Sequence, residues 1–144
     1  MLERIVRGET LLAVIVRANY HADGIAFFTP DDFSQQLGYQ SRPAGHIIPP
    51  HMHNQIVREV TLTNEVLFLR SGRVRVDFYD EDQNYLESRV LTSGDIILLA
   101  KWGHGFEMLE PSEIVEVKQG PYSGDADKTL FEPAVPAQLR IVDK

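Results

Sequence analysis

Glycine, proline and polar turn residues cut this chain into short apolar or alternating runs at close intervals, and that punctuation is what most limits its fold. Runs of about four to eight residues rich in Val, Ile, Leu, Phe and Tyr, bounded by turn formers, read as the strands of an all-β sandwich or barrel. Candidate strands fall at 11–17, 25–28, 45–48, 56–62, 65–70, 73–79, 85–91, 95–99, 105–109 and 114–118. One short helix is expected at 30–37. Thr29 can cap it, Pro30 suits its first turn, Asp31 and Asp32 complement its dipole, and Gly38 can end it. From Pro121 onward the chain reads as a surface wrap, with 139–142 a candidate edge strand.

The segment around Ser71 and Gly72 predicts a tight hairpin in which Arg70 pairs with Arg73. Strand alternation then sorts the side chains. Glu65, Leu67, Leu69, Val74, Val76 and Phe78 share one face, and Val66, Phe68, Arg70, Arg73, Arg75, Asp77 and Tyr79 share the other. The first face is apolar except for Glu65, and a carboxylate on a core face is costly unless a cation or hydrogen bonds satisfy it. On the second face, Val66 and Phe68 call for cover by the N-terminal segment or a second subunit.

The chain has 144 residues, the size of one domain. A chain this long buries roughly 68–70% of its unfolded surface and needs no covalent staple. Its net charge of −7 argues against nucleic acid and against anionic membrane surfaces, both of which select basic proteins. The apolar run at 11–16 is too short to span a bilayer, and no secretory signal is legible, so a cytoplasmic location is expected. With no cysteine, thiolate chemistry is excluded, and a metal could be held only by His, Asp, Glu or carbonyl oxygens.

Such donors are present. His51 and His53 stand one residue apart behind Pro49 and Pro50, Glu65 follows, and His104 sits in a glycine-flanked turn. In an extended segment, His-x-His sets two imidazoles side by side. Each donor also has a plainer reading. Glu65 could pair with Arg58 or Arg70, and His104 could be a turn residue; His46 could substitute for one ligand, but Pro49 and Pro50 break the strand parity that would link it to His51, and His21 reads as a surface position. Together, three histidines and one glutamate suit Fe(II), Mn(II), Ni(II) or Zn(II) with open coordination positions.

These residues resemble the cupin superfamily, whose first motif places a glycine five residues before His-x-His and a glutamate six residues before a second glycine. Gly45 and His51, and Glu65 and Gly72, keep those two spacings. Gly94, the run at 96–99 and His104 are similar to the second motif. The chain departs from the family pattern in several places. Eleven residues separate His53 from Glu65 where three or four are usual, which makes Glu59 an alternative to Glu65. Ala100 stands in place of a proline, the second motif is one residue short, and Met108 replaces a common asparagine. The stretch from Glu116 to Lys128 is similar to the tail of small cupins of sugar metabolism, including type II phosphomannose isomerase domains.

The resemblance implies an all-β double-stranded β-helix, the cupin or jelly-roll barrel, with one short N-terminal helix. It implies a single domain over 1–144, with the barrel core at 45–118, N-terminal strands and helix at 1–44, and a surface tail at 119–144. Its implied metal ligands are His51, His53, Glu65 and His104. The implied function is metal-dependent action on a small molecule, with a carbohydrate or nucleotide-sugar isomerase or epimerase foremost. There the ion would polarise a carbonyl or hydroxyl while a proton moves. Glu65 (if not ligating) and Glu107 are the candidate proton carriers, Tyr79 lies on the wrong face, and Arg58 could clamp a phosphate or carboxylate. An Fe(II)-dependent oxygenase and a non-enzymatic sugar- or metabolite-binding module are the alternatives. A small-molecule ligand and a homodimer are the expected partners.

Overall fold

β-Strands supply nearly all the regular structure of the residues described, 1–142, in a computed structural model; the last two positions of the expected tail lie outside the described residues. In chain order the strands are β1 (Leu2–Arg7), β2 (Thr10–Val16), β3 (Gly24–Phe27), β4 (Gly38–Ser41), β5 (Glu65–Ser71), β6 (Arg73–Tyr79), β7 (Tyr85–Thr92), β8 (Ile96–Leu99), β9 (Gly103–Met108) and β10 (Glu113–Lys118). Two short 3-10 turns follow, Gly124–Asp127 and Pro136–Gln138. No helix among the described residues is long and apolar enough to cross a membrane.

The chain divides into two compact units, one of residues 1–20 with 62–144 and one of residues 21–61. The larger unit holds a five-stranded sheet in the order β1-β2-β8-β5-β10 and a three-stranded sheet in the order β7-β6-β9. Their apolar faces meet in one core. Leu12, Ile15, Leu67, Leu69 and Ile97 come from the first sheet, and Val74, Val76, Phe78 and Leu91 from the second. Both sheets keep free edges, and among the described residues they do not close into a barrel. On the edge strand β9, Phe106 and Met108 pair with the core residues Val76 and Val74 and therefore face inward. They nevertheless remain 39% and 51% exposed, so the core lies open to solvent along that side.

The expected face assignment of 65–78 matches this core: Leu67, Leu69, Val74, Val76 and Phe78 are all buried. The expected hairpin does not form. β5 pairs with β8 and β10, whereas β6 pairs with β7 and β9. The chain instead steps from one sheet to the other at Gly72, whose φ is +89°. A Cβ there would stand 2.3 Å from the Pro111 carbonyl oxygen and the Ser112 hydroxyl, so the crossing needs glycine for space as well as conformation.

A seam of charge is buried at the end of this unit. Arg17 reaches Glu3 at 2.6 Å, Asp95 at 2.8 Å and the Val90 carbonyl at 2.7 Å. Asp95 also accepts the Ala18 and Thr92 amides, and Arg89 meets the second oxygen of Glu3. These bonds explain how β1, missed as a strand because of its charged residues, pairs along β2 with Glu3 inside the protein. The tail is held over the three-stranded sheet. Tyr79 accepts the Ala134 amide at 3.0 Å and stacks edge-on with Phe131, and Ile141 bridges to Ser88 in parallel.

The smaller unit contains the two-stranded antiparallel sheet of β3 and β4. Residues 30–37 are turns and bends rather than the expected helix. The Thr29 hydroxyl donates to the Gln36 side-chain oxygen and accepts the Leu37 amide, and the Gln36 amide group takes the carbonyls of Pro30 and Phe33. These side-chain bonds occupy backbone groups a helix would need. Residues 42–61 of this unit carry no strand, so those expected at 45–48 and 56–62 are absent. Prolines 43, 49 and 50 each lack an amide donor, and Ile47 and Val57 are exposed rather than aligned on a buried face.

Candidate functional site

Within the larger unit, strand register aims three ionisable side chains into the open end of the core. Glu65 begins β5 on the same face as Leu67 and Leu69. Lys118 ends β10 directly opposite Glu65. His104 pairs with the core residue Phe78 across the other sheet, so it faces Glu65 from the opposing layer. The His104 Nε2 lies 3.2 Å from Glu65 Oε2, although the residues are 39 apart in the chain. A carboxylate can only accept, so this ring nitrogen carries the hydrogen. Lys118 Nζ lies 3.5 Å from the other Glu65 oxygen and 2.6 Å from Asp127, whose second oxygen accepts the Thr63 hydroxyl at 2.7 Å.

The electrostatics follow from these contacts. The His104 hydrogen bond, aided by the charge of Lys118, holds the Glu65 carboxyl below its ordinary range against the opposing effect of burial. Asp127 holds the Lys118 ammonium above its ordinary range, and Lys118 and Thr63 hold Asp127 low. The costly carboxylate on the apolar face is thus satisfied by an imidazole and an ammonium, not by Arg58 or Arg70.

The other expected site residues are distributed as follows. His51 and His53 lie in the smaller unit in an exposed, strandless segment, their rings edge-to-face with centroids 5.4 Å apart. His51 Nδ1 is 2.9 Å from the Pro49 carbonyl. A carbonyl oxygen can only accept, so His51 Nδ1 is the donor. Arg58 and Glu59 are exposed in the same unit, and Arg58 bonds the Ile56 carbonyl at 3.4 Å. Glu107 pairs across the strand with Arg75 and bonds it, on the face of β9 opposite His104. Among the described residues, no group of three or more His, Asp or Glu side chains stands close enough to hold a metal ion.

For the divalent ion implied by the cupin resemblance, Glu65 and His104 are a chemical fit as two donors. They are two of the four ligands that resemblance implies, the Lys118 ammonium lies on the same carboxylate, and two donors alone do not make a metal centre. Sequence reasoning missed Lys118 and Asp127. The legible signal was parity: Lys118 shares its strand face with Ile114, which packs on the core. No family model, curated protein or solved structure matches the chain.

Proposed function

We propose that this chain is a double-stranded β-helix protein of the cupin type that binds a small polar molecule beside a divalent metal ion, with carbohydrate or nucleotide-sugar isomerisation or epimerisation as its activity. The observation that carries the reading is the approach of His104 to Glu65 from opposing inner faces at 3.2 Å. The strand path supports it too: the chain changes sheet between β5 and β6, turns back within one sheet from β6 to β7, and then changes sheet at each step from β7 to β10. The inward side chain of Phe106, partly exposed and with its ring centroid 5.5 Å from that of His104, gives the site an apolar wall against which a ligand could lie. When bound, the ion would polarise a carbonyl or hydroxyl oxygen of the ligand. The cupin resemblance also counts His51 and His53 as ligands.

The test is metal analysis of protein purified without added metal, repeated on Glu65→Gln and His51→Ala, followed by a screen of phosphorylated and nucleotide-linked sugars. Stoichiometric metal in the parent and its loss in both variants is the expected result. Metal retained in Glu65→Gln would overturn the assignment. A non-enzymatic binding module is the second reading, favoured by the way the His104 hydrogen bond and the Lys118 ammonium already satisfy Glu65. Ligand binding that survives full chelation, with no turnover, would select it. We also propose a homodimer, because Val115 and Val117 on β10 and Phe68 on β5 form an exposed apolar stripe, with the half-buried Val66 beside Val117. Sedimentation equilibrium tests it.

A further inference from the structure

We propose that the cavity beside the buried charge seam of the larger unit is a binding site for the oxyanion group of a small molecule, a carboxylate or a phosphate, with Arg73 as its principal cation. The cavity has a volume of about 470 Å³, within the roughly 300–1,000 Å³ of small-molecule sites, and all the residues lining it belong to the larger unit. It shares no lining residue with the Glu65 and His104 site and does not depend on the metal reading. Strand register builds its floor. Arg73 on β6 and Thr92 on β7 are cross-strand partners, so their side chains share one face, opposite the buried Val74 and Leu91. The wall is the turn after β2, where Asp95 accepts the Ala18 amide at 2.8 Å. Gly94 permits that approach, since a Cβ there would stand 2.8 Å from the Ala18 side chain.

Charge decides the class of ligand. In the seam, the carboxylates of Glu3, Asp95 and Glu87 are matched by the guanidinium groups of Arg17, Arg89 and Arg140. Asp95 is buried and accepts from Arg17, Ala18 and Thr92, so it presents no bare carboxylate to the cavity. Arg73 is left over. Its side chain is exposed, and among the described residues its guanidinium has no ion-pair or hydrogen-bond partner. The other polar groups lining the cavity add donors. Arg17 spends Nε on Glu3 and Nη1 on Asp95 and the Val90 carbonyl, which leaves Nη2. Asn19 uses its side-chain oxygen on Met1, which leaves its amide NH2. The Thr92 hydroxyl reaches Asp95 only at 3.4 Å. One uncompensated positive charge among unspent N–H and O–H groups selects an anion, and the planar guanidinium fork matches a carboxylate or phosphate.

The experiment is an amide NMR titration of the full chain with potassium phosphate and, separately, potassium acetate, at an ionic strength held constant with potassium chloride. The proteins are the parent, Arg73→Gln, Thr92→Val and Arg70→Gln. Melting curves establish that each is folded, and Arg73→Ala replaces Arg73→Gln if the latter is not. The parent is expected to show saturable shifts at Ala18, Asn19 and Thr92, and the anion that saturates at the lower concentration identifies the headgroup. Arg73→Gln is expected to weaken binding about tenfold, the scale of a lost hydrogen bond to a charged group, and Thr92→Val several-fold. Arg70→Gln removes an equal charge from an exposed position on β5 outside the cavity and is expected to leave binding unchanged. Absence of saturable shifts with both anions overturns the inference, and so does undiminished binding by Arg73→Gln. Equal losses in Arg73→Gln and Arg70→Gln overturn it as well, since they would mark diffuse attraction to charge rather than a site. Metal content plays no part in the titration, so its failure is distinct from a failure of the reading of Glu65 and His104.

Discussion

Replacing Arg17 with Met should destabilise the larger unit by about 3–5 kcal/mol, the cost of breaking a buried ion pair from one side. The guanidinium satisfies Glu3 at 2.6 Å, Asp95 at 2.8 Å and the Val90 carbonyl at 2.7 Å, and the two carboxylates are only 1% and 2% exposed. Their rescue in the variant is partial. Glu3 keeps Arg89 at 3.2 Å, and Asp95 keeps the Ala18 and Thr92 amides. These remaining partners put the expected loss near the lower end, about 3 kcal/mol. At roughly 2–4 °C per kcal/mol for a chain approaching this size, the melting temperature should fall by about 10 °C. Urea unfolding followed by circular dichroism gives the free energy, and calorimetry the midpoint. The double variant Arg17→Met with Asp95→Leu should recover part of the loss, because one stranded buried charge is removed with its partner. A single-variant loss below about 1 kcal/mol, the range of an exposed pair, would show that water reaches the seam and that the argument from burial is wrong.

Gly72→Ala should cost more than the about 1–3 kcal/mol of a left-handed non-glycine residue alone, since its Cβ also meets backbone at Pro111; urea unfolding reads the difference. Phe78→Ala, emptying the centre of the core, should cost about 3–5 kcal/mol by the same assay. Glu65 has a folded pKa depressed first by His104 and then by Lys118, so its contribution to stability is present above the unfolded carboxylate value of about 4.3 and is lost as pH falls through the lower folded value. The stability gap between the parent and Glu65→Gln should therefore close in acid and be constant near neutrality; a gap independent of pH down to the acid transition would contradict the pairing. Tyr79→Phe should release the Ala134 amide, cost about 1 kcal/mol and speed proteolysis of the tail, measured by mass spectrometry of limited digests.

The core was legible wherever a period of two decided it. Leu67, Leu69, Val74, Val76 and Phe78 are inward because alternation leaves no other face for them, whichever strands they pair with. Pairing itself was not legible: Ser71-Gly72 carries the chemistry of a hairpin turn, but β8 and β9 offer partners that local sequence does not reveal. The helix expected at 30–37 failed because capping residues also serve as loop anchors, and Gln36 has carbonyls within reach that a helix would have used. At the site, Glu65 and His104 were both legible as donors, and the opposing sheets bring them to 3.2 Å. Asp127 could not be foreseen, because it comes from a polar turn whose partners, Lys118 and Thr63, no local pattern connects to it.

The step between sheets at Gly72 governs the order in which this protein can be made. During synthesis β5 emerges before β8 and β10, the two strands that flank it, so one edge stays unpaired until β8 follows and the other until β10 does. Glu65 waits with it, since His104 arrives with β9 and Lys118 with β10. A nascent chain halted before Gly103 would expose a bare carboxylate and an unpaired strand edge together, a target for chaperones rather than a working precursor.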